Sequence, residues 1–131
     1  MASRKLTDLS PAAKVLVEKF IEACDKQGID LLVTCTWRSN EEQNELYAQG
    51  RSKPGRIVTN AKAGQSRHNG MLNGKPASTA VDVVIIENGK CIWDVKDPRW
   101  AVVGKIGESV GLEWAGRWKK FPEFPHFQTK E

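Results

Sequence analysis

The chain has 131 residues, 40% hydrophobic and 27% charged, which suits one soluble domain over residues 1–131 and excludes both a disordered chain and two full domains. Residues 1–8 carry basic side chains with no apolar run behind them, and no stretch approaches the length of a membrane span. The expectation is therefore a protein without a signal peptide, made and kept in the cytoplasm. The net charge of +4 favours polyanions, but the basic residues are scattered, which argues against a nucleic-acid binder.

Ser10-Pro11 starts a helix, the hydroxyl as cap and the proline in the first turn. Ala13, Leu16, Val17, Phe20, Ile21 and Cys24 then recur at three- and four-residue steps, one stripe of an amphipathic helix that stops near Gln27-Gly28. Residues 30–37 are rich in β-branched and apolar side chains and read as a strand. Ser39 and Glu42 form a capping box for a second helix, in which Gln43, Leu46 and Tyr47 share a face and which Gly50 stops. Arg38 is held at the corner between these two elements. Residues 51–64 read as loop, with room for a short strand over Ile57-Val58-Thr59.

Asn73-Gly74 marks a tight turn. Residues 80–87 are the most strand-like run, and Asn88-Gly89 turns them back into 90–93, an antiparallel hairpin with Asp82 near its beginning. Asp97-Pro98 opens a third helix whose Trp100, Val103, Gly104, Gly107 and Val110 line one face and which Gly111 closes. Residues 112–115 re-enter the sheet, with Trp114 assigned to the core, and Pro122 and Pro125 bracket a last extended piece running to Phe127. This order gives an α+β domain, a small antiparallel sheet with helices packed on one side. Cys24, Cys35 and Cys91 are odd in number and widely spaced, and read as buried free thiols.

The chain has two histidines, His68 and His126. With Asp82 they make a set that can hold Zn²⁺ at three corners and leave the fourth for water. Spacing alone leaves this open, since a lone histidine is often a surface or satisfied core residue.

Ser66-Arg67-His68, Ala80-Val81-Asp82 and Glu123-Phe124-Pro125-His126-Phe127 resemble the S-x-H-x-x-G-x-A-x-D and [DE]-x-P-H-F signatures of one family. This is the zinc peptidase family of VanY-type D-alanyl-D-alanine carboxypeptidases and phage L-alanyl-D-glutamate endolysins. Thr36-Trp37-Arg38-Ser39 with Gln43, Leu46 and Tyr47 resembles its Y-R-S-x-x-x-Q-x-x-L-Y block, and residues 111–118 its G-x-x-W-G-G-x-W lead-in. Four blocks in the family order are more specific than any one of them. The resemblance implies a fold like that of the Hedgehog and D-Ala-D-Ala peptidase group, with a zinc site at a sheet-edge cleft. It implies His68, Asp82 and His126 as Zn²⁺ ligands, Glu123 as the proton-shuttling acid, and Arg38 as the group that steadies an oxyanion or a substrate carboxylate.

Gln43 is expected as a substrate contact or an orienting group, Ser66 as a support for a ligand at the substrate side, and Trp118 as a cleft wall. Glu113 is the rival base. Two departures stand out. His68 and Asp82 are fourteen positions apart where the family has seven, so residues 70–76 are an insertion, expected as a flexible lip over the cleft. Ala115 and Arg117 also differ from the family's usual glycine and acidic residue. The function implied is a peptidoglycan hydrolase acting on stem peptides, a phage endolysin with L-alanyl-D-glutamate endopeptidase activity. Such an enzyme needs no nucleic acid and no membrane insertion, and is taken as a monomer. The alternatives are a D-alanyl-D-alanine carboxypeptidase, a non-catalytic zinc module, which the presence of Glu123 opposes, a non-haem iron oxygenase, which the ligand spacing opposes, and a basic nucleic-acid binder, which salt-sensitive retention on DNA without bound zinc would favour.

Overall fold

The computed structural model describes residues 2–130. Helix α1 (Pro11–Lys26) begins where the Ser10 hydroxyl accepts the Ala13 N–H, and buries Ala13, Val17, Phe20 and Cys24 from the expected stripe. Strand β1 (Asp30–Cys35) follows, then α2 (Asn40–Ala48), capped by the Ser39 hydroxyl on the Glu42 N–H. The β2–β3 hairpin (Met71–Leu72, Lys75–Pro76) precedes β4 (Ala80–Glu87) and β5 (Lys90–Ile92). Helix α3 (Arg99–Ser109), β6 (Leu112–Trp114) and β7 (His126–Thr129) complete the chain. Asp97 Oδ1 accepts the Arg99 N–H, the cap expected at Asp97-Pro98.

The main sheet runs β1-β4-β7-β6, all antiparallel. Strand β4 offers one edge to β1 and divides the other, its start pairing with β7 and its end with β5. Helices α1 and α3 contact each other and the sheet, enclosing Phe20, Val81, Val83, Ile85, Trp100, Val103, Leu112 and Phe127. Trp114 is part of this core and sits between two glycines. A Cβ on Gly104 or on Gly116 would come within 2.3 Å of its ring, so both positions are small because the indole needs the space.

Four local expectations are corrected. Cys24 and Cys35 are buried free thiols as expected, but Cys91 is exposed, because it stands on the short strand β5 at the sheet edge. Strand β1 ends at Cys35 because residues 36 and 37 pair with the N-terminal segment instead: the Thr36 N–H donates to Ser3 O, and Trp37 O accepts the Ser3 N–H. Residues 57–59 form no strand. Side chains take the neighbouring carbonyls, Gln49 bonding Arg56 O and Arg51 bonding Thr59 O, so no ladder partner is engaged. The insertion is a hairpin, with Asn73 and Gly74 both at positive φ as its turn requires, and Met71 and Leu72 are exposed. None of residues 70–76 lines the cleft described below, so they are no lip over it.

Candidate metal centre

Strand register assembles the site. Asp82 pairs directly with His126 across β4 and β7, and with Cys35 across β4 and β1 after a bulge at Thr34. Direct partners on antiparallel strands present their side chains to the same face, so the three stand in a row. His68 reaches this row from a single 3-10 turn, Arg67–Asn69, whose N–H at His68 is capped by the Ser66 hydroxyl. The Arg38 N–H donates to His68 O, and Asn69 Nδ2 donates to Arg38 O, clasping the end of β1 to that turn.

Both imidazoles face the same carboxylate oxygen. His68 Nε2 lies 3.1 Å and His126 Nδ1 2.9 Å from Asp82 Oδ1, with the ring centroids 5.1 Å apart. Each ring's other nitrogen has an acceptor: Thr36 O for His68 Nδ1 and the Gln128 amide oxygen for His126 Nε2, both at 2.9 Å. Such outer acceptors fix the tautomer that turns a bare nitrogen inward, the arrangement that metal-ligating histidines show. The field here calls for positive charge. Burial works against charge at both groups, yet Asp82 lifts the His68 imidazolium to about 10, and the two imidazoles hold the Asp82 carboxyl far below its usual range. Two imidazole nitrogens facing one carboxylate oxygen supply the donor types that fit zinc.

Arg38 stands beside this cluster, Nη2 3.8 Å from Asp82 Oδ2. Its Nη1 donates to Gln43 Oε1 at 2.9 Å, and Gln43 Nε2 donates to Ala61 O at 2.7 Å. Gln43 is fully buried with both amide ends used; of its two expected roles, orienting Arg38 fits this place and substrate contact does not. Glu123 lines the cleft, with its N–H on Ala115 O and its carbonyl accepting the His126 N–H, a turn that sets acid and imidazole side by side. Burial raises the Glu123 carboxyl, with Asp82 adding to the rise and His126, His68 and Arg38 opposing it. Trp118 forms a wall, its ring 5.6 Å from that of His126, and its indole N–H holds the Glu113 carboxylate at 2.8 Å. Glu113 does not line the cleft. Arg117 turns outward to Glu108 and Ala115 is buried, so neither reaches the rim.

Sequence reasoning missed Cys35 and Gln128. The Cys35 sulfur is 3.5 Å from His68 Nδ1 and 3.6 Å from Arg38 Nη2, and ligand atoms of Cys35, His68 and Asp82 all lie within 4.8 Å of one another. It touches the nitrogen that faces away from Asp82. Only the β1–β4 register could have placed this thiol here. A cleft of about 440 Å³ opens over the cluster, lined by Arg38, Thr59, Gln65, Ser66, Arg67 and Trp118 among others. A more apolar hollow of about 360 Å³, with Val58, Val95, Phe121 and Phe124, shares Asp82, Glu123 and His126 with it.

A family model described as VanY, D-alanyl-D-alanine carboxypeptidase, matches residues 6–91, and a second with the same description matches residues 59–129. The peptidoglycan L-alanyl-D-glutamate endopeptidase CwlK of Bacillus subtilis (strain 168) is 37% identical over 130 residues, 93% of this chain and 74% of that protein. Two solved structures share the fold. The L-Ala D-Glu endopeptidase ChiX of Serratia marcescens has a TM-score of 0.68 at 22% identity, covering 99% of this chain and 89% of that one. A vancomycin resistance D,D-pentapeptidase VanY in complex with Zn(II) has a TM-score of 0.67 at 15% identity, covering 94% and 73%.

Proposed function

Since the chain belongs to the VanY family of D-alanyl-D-alanine carboxypeptidases, and is thereby a metallopeptidase, we propose that it is a single-domain, zinc-dependent L-alanyl-D-glutamate endopeptidase of peptidoglycan stem peptides. The observation that carries the choice of bond is the 37% identity to a protein with that activity over nearly the whole chain. The cleft agrees with it. Two hollows adjoin at Asp82, Glu123 and His126, room for a substrate that runs on past the scissile bond. A carboxypeptidase needs one end closed around a terminal carboxylate.

In this reading His68 Nε2, Asp82 Oδ1 and His126 Nδ1 hold the zinc, which when bound supplies Lewis acidity that polarises a carbonyl and lets water ionise near neutral pH. Glu123, its affinity for a proton raised by burial, takes the proton that the attacking water gives up and delivers it to the leaving amine. Arg38, aimed by Gln43, donates to the carbonyl oxygen as negative charge develops there. Ser66 holds the His68 turn, and Trp118 walls the cleft beside His126. Cutting stem peptides at this bond detaches cross-links from the glycan, the lytic role of a phage endolysin released from the host cytoplasm. No helix among the described residues is long and apolar enough to cross a membrane.

Mass analysis of fragments released from purified peptidoglycan tests the reading. Fragments with a new N-terminal glutamate are expected. Free terminal D-alanine in their place would assign the carboxypeptidase reaction.

A further inference from the structure

Much of the cleft lining, from Val58 to His68, comes from a stretch with an unusual charge pattern. Between Glu45 and Asp82 the chain has no acidic residue and six basic ones, Arg51, Lys53, Arg56, Lys62, Arg67 and Lys75. Of these, Arg67 lines the cleft itself, between Ser66 and His68. Its side chain is half-buried, and its hydrogen bonds go from Nη1 to the hydroxyls of Thr79 and Thr129, both long at 3.4 Å. Among the described residues no carboxylate lies within ion-pair distance of it. Arg38, by contrast, is engaged with Gln43 and stands against Asp82. A guanidinium has five donors in a fork that matches a carboxylate, and among the described residues only Nη1 of this fork makes a hydrogen bond, while Arg67 lines the cleft.

We propose that Arg67 is the receptor for the free carboxylate of the glutamate on the amine side of the scissile bond, and so a specificity-determining residue of the reaction. The inference rests on the endopeptidase reading above. In a stem peptide the D-glutamate is joined onward through its side-chain carboxyl, so its α-carboxylate remains as an anion next to the amide nitrogen being released. Amidation of that carboxylate removes the charge and one acceptor oxygen while leaving the size nearly unchanged. The enzyme therefore distinguishes walls with free glutamate from walls in which it is amidated.

The test gives the zinc-loaded protein two synthetic tripeptides, L-Ala-γ-D-Glu-L-Lys and its α-carboxamide. The native enzyme should prefer the carboxylate by about 10- to 100-fold in kcat/KM, the worth of a charge-assisted hydrogen-bonded pair. Arg67→Met should bring the preference to within about threefold, and Arg67→Lys, with charge but no fork, should keep part of it. Zinc content separates this effect from damage to the neighbouring His68. Undiminished preference in Arg67→Met overturns the proposal, as do equal losses on both peptides. Equal cleavage of the two peptides by the native enzyme overturns it without any variant. No cleavage of either peptide at the L-Ala–D-Glu bond overturns the endopeptidase reading, and this inference with it.

Discussion

Gln43 ties the fold to the chemistry, and Gln43→Leu removes that tie with little change in volume. The amide accepts from Arg38 Nη1 at 2.9 Å and donates to Ala61 O at 2.7 Å, and Gln43 has no exposed surface. Leucine fills the space but leaves the guanidinium and the carbonyl each short of a partner. A lost hydrogen bond to a charged group costs about 1.5–3 kcal/mol and a neutral one about 0.5–1.5 kcal/mol. Arg38 keeps 15% of its side chain exposed, so water recovers part of this, and the expected loss of unfolding free energy is about 2–4 kcal/mol. Urea unfolding of the zinc-loaded protein at pH 7, with fixed m-value, reads it. Turnover should fall further than zinc content, because Arg38 loses its aim while the ligands do not. A stability change below about 0.5 kcal/mol, the level of an ordinary surface substitution, would refute the bridging role.

Gln128→Leu should weaken zinc binding by about 10- to 100-fold, measured by competition with a chelator, because His126 Nε2 loses the acceptor that fixes its tautomer. Gly104→Ala should destabilise by about 1–3 kcal/mol or more in thermal unfolding, since its Cβ would fall 2.3 Å from the Trp114 ring with a helix backbone behind it. In the chelated, metal-free protein the melting temperature should fall as pH rises from 6.5 towards 10. His68 is raised from 6.5 to about 10 in the fold, so its contribution is complete below 6.5 and lost through about 10. Asp82, held low, contributes above its unfolded value of 3.8 and loses that contribution only as pH falls well below it. A flat melting profile from pH 6.5 to 10 in calorimetry would contradict the His68–Asp82 pairing.

Much of this arrangement was legible because local chemistry and tertiary structure agree. Ser10 and Ser39 cap the helices they precede, Asn73-Gly74 and Asn88-Gly89 turn the hairpins, and the apolar run at residues 80–87 is the central strand. The convergence of His68, Asp82 and His126 was accessible through motif resemblance, since no local pattern brings residues 14 and 44 positions apart to one oxygen. What stayed hidden depends on register. Cys35 reaches the site because a bulge sets it opposite Asp82, and Gln128 supports His126 because two steps along β7 return to the same face. Ile57-Val58-Thr59 has strand composition but no neighbouring edge to pair with, so propensity lost to context.

X-ray absorption at the zinc edge of the loaded protein tests the centre most directly, because sulfur and nitrogen or oxygen ligands differ in distance. A first shell of nitrogen and oxygen alone at about 2.0–2.2 Å, lost in His126→Ala, is the predicted result. A zinc–sulfur distance of about 2.3 Å would place the ion between Cys35 and His68 instead, and would contradict a centre built on both histidines and Asp82.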